Sequence, residues 1–527
     1  RLFFASSNLS ISFSFLDIIK SNCEVFSSRN LAIFFFSFIC FIMSKNHLYK
    51  KRFKRFHVAK RYKKPHRGFY CAKHKSRRRK CNRLNLAWLQ FEHNVALVLS
   101  QIFPKVNLDI LQIVLKSPKG DVEKEIANSE MRKIHKGFQK AQNTLVELIV
   151  FVQAKRRKMK ADIRKSRNKE VRNILNRELQ AYSYMLDVYK HLADTIFWQL
   201  IGGKLHLARR FFQDVPGEKD LVETNYLSVV EVAKEINSNP LNFVLLTDIT
   251  NYVQLGDLVG IVDGKHKIIE VKEGKRNHEL LDDISFMLNS EAEQSQIKNV
   301  VGKYSDDPKS IKQMQRMLKQ IGTAHAEMAI MNFDKGKDPV SGRNITIATP
   351  KINTVYYNED LRKLEEQLKM RKRWAYDVID GCLHVGLYRG KMRSRGAYIF
   401  DYLSQDIKHK YLIDARECFK ALGTPLFFWP FSKELILDIL MGRTLMLLML
   451  DMDKFMELIG DTCCFASRKE TAKVTEMFKS KMLCIFDNQA IKYGDRAFLC
   501  QGTIGKILFN QISPSYMAYA LLNEYKL

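Results

Sequence analysis

The chain has 527 residues with 46% apolar content, 24 Gly and 11 Pro; this excludes a wholly disordered or fibrous chain and implies roughly two to four packed units. Its 87 Lys and Arg against 56 Asp and Glu leave a formal charge of +31, which points to a polyanionic partner, nucleic acid before an anionic membrane. Ten cysteines without close, regular spacing argue against a disulfide framework and for reduced thiols in a cytoplasmic protein.

Residues 1–42 are rich in Phe, Ser and Ile, and the run LAIFFFSFICFIM, Leu31 to Met43, is apolar over 13 residues. A membrane span needs about 20, and no small-residue cleavage site follows. The simpler reading is upstream or leader sequence ahead of a start at Met43, with a signal or anchor as the alternative. Membrane association is not expected.

Residues 43–84 form a basic arm. Ser44 to Arg83 holds 18 Lys and Arg and no Asp or Glu, a block that repels itself and is expected to be disordered until it meets phosphate. Lys50, Lys51, Arg52, Lys54, Arg55, Arg77, Arg78 and Arg79 are the candidate nucleic-acid contacts, with Phe53, Phe56, Tyr62, Phe69 and Tyr70 interleaved for base stacking. Cys71, His74, Cys81 and His93 offer four zinc-type ligands, but their spacing matches no common finger and reads as chance clustering.

Residues 85–213 read as helical, from apolar spacing in LNLAWLQFEHNVALVLSQIF and ELQAYSYMLDVYKHLADTIFWQLIG. AKRRKMKADIRKSRNKEVRNILNREL between them predicts one charged helix, either a second basic surface or a solvated face. Residues 214–375 predict helix, three strands, helix, strand: VETNYLSVVEVAKEINSNP; NFVLLTDIT, LGDLVGIVD and HKIIEVKE; DPKSIKQMQRMLKQIG; and NITIATPKINTVYY. That order implies an α/β unit with a mixed sheet flanked by helices. Residues 376–527 read as an α+β region, with strand-like CLHVGLY, AYIFDYL and AFLCQGTIGKILFN and helical SKELILDILMG. The Met-rich LMGRTLMLLMLDMDKFMELIG reads as core.

Asp263-Gly264 signals a hairpin turn with positive φ at both positions. Val262 then faces Lys265, and counting back sets Asp257 opposite Glu270; a three-residue loop would shift this by one. Paired side chains share a face with Cβ atoms about 4.5–5.5 Å apart, and two carboxylates so placed need a cation between them. Mg²⁺, or Mn²⁺, suits two carboxylates completed by water and phosphate oxygens. Lys272 falls on the same face, roughly 7 Å beyond Glu270, able to activate or orient a water or neutralise developing charge. The arrangement implies phosphodiester hydrolysis. The plainer reading is a charged hairpin face, and a chain using only its arm and charged helix would bind nucleic acid without catalysis.

GDLVGIVDGKHKIIEVKEGK, Gly256 to Lys275, resembles the signature of the PD-(D/E)XK, or restriction-endonuclease-like, nuclease superfamily. Asp257 matches the motif aspartate, Glu270 the second acid and Lys272 the lysine, while Gly256 stands at the motif proline. The resemblance spans about residues 180–360, so the first core helix starts near 180, and LLTDITNYVQLGDLVGIV is similar to a piece of bacterial proteins with this core. It implies a metal-dependent nuclease of DNA or RNA, an accessory acid from the first core helix (Asp194, Glu223 or Glu231), and a polar residue such as Gln313 or Arg316 from the helix after the third strand. Other signatures fall short: His325-x-Glu327 lacks a downstream P-C-x-x-C, Cys463-Cys464 fits no redox or zinc spacing, and no Walker A pattern is present.

Overall fold

Long apolar-periodic segments build the first half of the molecule as packed helices. The structure, a computed structural model, describes residues 2–5, 75–104, 121–212, 220–288, 299–300, 302–339, 342, 344–347, 353–460, 463–467, 469–472, 490–493, 496–499 and 501–523. Helices α1 (Lys75–Ile102), α2 (Asp121–Lys165) and α3 (Lys169–Leu200) run side by side. Phe91, Val95, Leu145, Ile149, Leu192 and Ile196, each at most 1% exposed, fill the space between them. Helix α1 starts within the expected disordered arm, so Lys75–Arg83 are helical: Lys and Arg are good helix formers, and a turn added to an existing helix needs no new nucleus. The single charged helix expected over 154–179 is instead two, because Asn168 caps α3, accepting from the N–H groups of Glu170 and Val171.

After α4 (Leu205–Phe211) and α5 (Tyr226–Ile236), the period changes to strands. Strands β1 (Leu2–Ala5), β2 (Phe243–Leu246), β3 (Leu258–Val262) and β4 (Lys265–Val271) form a sheet of order β1-β4-β3-β2, antiparallel at every pairing. Gly260 belongs there by necessity, since a Cβ would stand 2.0 Å from the Phe243 carbonyl oxygen. Helices α6 (Lys275–Met287) and α7 (Pro308–Phe333) follow.

Among the described residues, the expected mixed sheet is not formed. Strand β6 (Asn344–Thr346), from the predicted last strand, pairs with β5 (Lys335–Lys337) in a separate antiparallel ribbon. Both strands are three residues long and neither buries a side chain, so they lack the apolar face that would insert them into the main sheet. The fourth place beside β4 belongs to Leu2–Ala5, from the segment read as a leader.

A second antiparallel sheet, of order β7-β8-β10-β9, is built from β7 (Trp374–Ile379), β8 (Leu383–Arg389), β9 (Lys410–Asp414) and β10 (Thr444–Asp451). Helices α8 (Asn358–Arg371), α9 (Met392–Leu403), α10 (Lys433–Leu440) and α11 (Met452–Ile459) accompany it. AYIFDYL is helical within α9: its buried residues, Gly396 and Phe400, are four apart, and Gly396 lets the helix lie on Tyr388, where a Cβ would meet the ring at 2.4 Å. AFLCQGTIGKILFN is divided, with Arg496–Leu499 a strand and Gln501–Asn510 a helix. The Met-rich stretch is core, Met446, Met449 and Met452 being fully buried.

The chain thus combines helices with small antiparallel sheets. One apolar cluster joins the helical region to both sheets. Among the described residues, no helix is long and apolar enough to cross a membrane.

Candidate functional site

The turn between β3 and β4 sets the site. Asp263 and Gly264 have φ of 53° and 72°, the paired left-handed conformations of a type I′ turn. Val262 pairs with Lys265 and Leu258 with Ile269, the register expected from the turn; Asp257 lies just before β3, beyond the last pair, close enough for its carboxylate to feel the charge of Glu270. Gly256 has φ of 78°, which proline cannot adopt because its ring fixes φ near −65°. A Cβ at Gly256 would also press within 2.5 Å of Ile268 Cγ2.

Asp257 is held from both sides. Its N–H donates to the Ile269 carbonyl at 2.9 Å, and its own carbonyl accepts from the Thr247 N–H at 3.1 Å. Its Oδ2 accepts from the Val271 N–H at 2.7 Å, so the side chain continues the ladder past the end of β3. On the same face, Val259 and Ile268 are 3% and 1% exposed, which places the carboxylates at the rim of the core. Burial raises the Asp257 pKa from 3.8 to about 6, and the charge of Glu270 adds to the rise; the Val271 hydrogen bond and Lys272 oppose it. Asp248, just after β2, raises it further.

Glu270 and Lys272, two residues apart on one face, form an ion pair with Nζ to Oε2 at 2.9 Å, their side chains 18% and 15% exposed. Lys272 Nζ also donates to Gln320 Oε1 of α7 at 3.2 Å. The Lys272 carbonyl accepts from His278 Nε2 at 2.7 Å. Asp257, Glu270, Lys272 and Gln320 therefore form one partly buried cluster.

The accessory candidates lie elsewhere or stand apart. Asp194 is buried and accepts from the Asn251 N–H and side-chain amide, each at 2.9 Å, and from the Tyr252 N–H at 3.3 Å. It fastens the loop after β2 to α3. Glu223 is exposed in a short 3-10 turn, and Glu231 is exposed on α5. Gln313 donates to Asn277 at 3.4 Å, and Arg316 is exposed. Among the described residues, none of these five hydrogen-bonds or ion-pairs with the three motif residues. Gln320, which does, was missed by sequence reasoning, although it lies seven residues, two helical turns, beyond Gln313 and so on the same face of α7.

Two carboxylates at a partly dry rim suit a hard cation. Asp257 Oδ1 and Glu270 Oε1 carry no hydrogen bond from the described residues. No group of three or more His, Cys, Asp or Glu side chains set to hold a metal occurs among those residues, so an ion here would take its other ligands from water and substrate. A separate polar cavity of about 430 Å³ between α2 and α5, lined by Gln142, Glu147 and Lys234, does not include the motif residues.

Of the proposed nucleic-acid contacts, Arg77, Arg78 and Arg79 lie in α1, while Lys50, Lys51, Arg52, Lys54 and Arg55 lie outside the described residues, as do Cys71 and His74. The α2–α3 turn forms a further basic surface. From Arg157 to Tyr184 no residue is buried, and Arg164, Lys165, Arg167, Lys169 and Arg172 make no ion pair among the described residues.

No protein-family model matches the chain, and no curated protein or solved structure matches it.

Proposed function

We propose that this chain is a metal-dependent nuclease hydrolysing phosphodiester bonds of DNA or RNA, with a restriction-endonuclease-like active site on β3 and β4. The observation that carries the reading is the closeness of Asp257 to Glu270 and Lys272, each of which shifts its pKa, with Lys272 tied to Glu270 and Gln320. Asp257 and Glu270 would hold Mg²⁺ or Mn²⁺. The ion, when bound, would polarise the phosphate and lower the pKa of a water. Lys272 holds its ammonium where it can orient that water or neutralise charge developing on the phosphate. Gln320 positions the ammonium. The helical basic surfaces and the arm would supply salt-sensitive contacts to the nucleic-acid backbone.

The excess charge also supports a second reading, a nucleic-acid-binding protein without catalysis, in which the Glu270–Lys272 pair only stabilises the hairpin. A metal-titrated digestion assay on single- and double-stranded DNA and RNA separates them. The nuclease reading expects cleavage in Mg²⁺ or Mn²⁺ that disappears in Asp257→Asn and Lys272→Ala while binding persists. Cleavage unchanged in both variants, or absent from the wild-type chain, leaves the binding reading. A cytoplasmic location is part of the proposal, supported by the free thiols at Cys382, Cys418 and Cys464.

A further inference from the structure

Helix α9 turns its least apolar-packed side to solvent, yet that side carries two large aromatics. The buried side is narrow: Gly396 lies on Tyr388 of β8, and the Phe400 ring meets Tyr376 of β7 edge to face at 6.1 Å. Opposite, Lys391, Arg395, Tyr398 and Tyr402 follow at spacings of four, three and four residues, which aligns them in one stripe. Tyr398 and Tyr402 are 74% and 73% exposed, although aromatic rings of this size are ordinarily at least half covered in a finished surface.

Charge selects the occupant. Lys391 and Arg395 make no ion pair among the described residues, and Asp401 is the sole acid of α9. Cations without counter-ions beside exposed rings complement a ligand that brings both phosphates and flat π-faces. A duplex keeps its base faces stacked inward, whereas an unpaired strand offers them to side chains. We infer that this face of α9 binds single-stranded nucleic acid, stacking bases on Tyr398 and Tyr402 and holding phosphates with Lys391 and Arg395. The inference names a substrate class for the nucleic-acid reading above and rests on it, but not on the cleavage chemistry.

Fluorescence anisotropy of the full chain with labelled single-stranded and duplex oligonucleotides, in EDTA so that cleavage plays no part, tests it. The wild-type chain should prefer the single strand, and Tyr398→Ala/Tyr402→Ala should weaken that binding by about tenfold or more. Tyr398→Phe/Tyr402→Phe, which keeps the rings, should bind as wild type. Lys391→Gln/Arg395→Gln should flatten the dependence of affinity on salt. Equal affinity in the alanine variant, or a preference for duplex, overturns the inference while leaving the nuclease reading intact. So does sedimentation showing that the wild-type chain self-associates and the alanine variant does not, with oligonucleotide affinity unchanged. A wild-type chain that binds no oligonucleotide overturns this inference and the nucleic-acid reading together.

Discussion

Asp257 and Val271 meet across the open end of the β3–β4 hairpin, where the Asp257 carboxylate accepts the Val271 N–H at 2.7 Å. One oxygen of the acid is thereby committed to the backbone, and the other is aimed by it. The side chain is oriented before any ligand arrives, the condition a metal-binding carboxylate needs.

This orientation separates charge from shape. Asp257→Asn keeps an oxygen for the Val271 N–H while removing the negative charge. Cleavage in Mg²⁺ should fall by about a hundredfold or more, with the thermal midpoint preserved or raised. Asp257→Ala should lose the same activity and also cost about 1 kcal/mol of stability through the lost hydrogen bond. Single-turnover cleavage and thermal melts on the same preparations distinguish the two.

The raised pKa of Asp257 sets a direction for stability against pH. Its folded value, about 6, exceeds the ordinary 3.8 because burial and Glu270 disfavour the ionised form. The folded chain therefore holds this proton more tightly than the unfolded chain. The contribution to stability is complete below about 4 and is lost as the pH rises to about 6. Thermal midpoints should fall across that window in the wild-type chain relative to Asp257→Asn. Above it, added Mg²⁺ should raise the wild-type midpoint and leave that of Asp257→Asn nearly unchanged, since a metal ion binds the deprotonated acid.

Among the described residues, Gln320 reaches the cluster through Lys272, at 3.2 Å. Gln320→Ala should lower kcat by about tenfold with little change in nucleic-acid affinity, because the ammonium remains but is less fixed. Gln320→Glu, which retains an acceptor for Lys272, should recover much of the loss and shift the pH profile. Loss of affinity instead would make Gln320 a binding residue.

Asp194 is expected to matter for folding. Its carboxylate satisfies the Asn251 N–H, the Asn251 amide and the Tyr252 N–H. Asp194→Ala leaves buried donors unpaired and should cost about 3 kcal/mol. Denaturant unfolding should register that loss, while activity per folded molecule stays near wild type.

The hairpin was legible because its determinants are local. Asp263-Gly264 tolerates positive φ at both turn positions, and the apolar runs on either side give a single register. Gln320 was less legible: α7 was visible from its spacing, but which of its polar residues meets Lys272 depends on how the helix docks. The place of Leu2–Ala5 beside β4 arises from pairing across more than 250 intervening residues, for which local pattern carries no signal. Tyr398 and Phe400 lie in a run that reads equally well as strand, and only the burial of Gly396 with Phe400 decides for a helix. The mixed sheet failed for a related reason: NITIATPKINTVYY looks strand-like but, among its described residues, yields a three-residue ribbon strand and an isolated bridge from Tyr356 to Ile512.

Because the β3–β4 connection is a two-residue turn, it has no slack in which to absorb an insertion. One added residue there would shift β4 by one against β3, turning Glu270 and Lys272 to the opposite face of the sheet and putting Ile269 and Val271 in their place. The acidic and amino groups consequently arrive, or vanish, as a set. Chain length at this corner is constrained more tightly than the identity of any one side chain in the cluster.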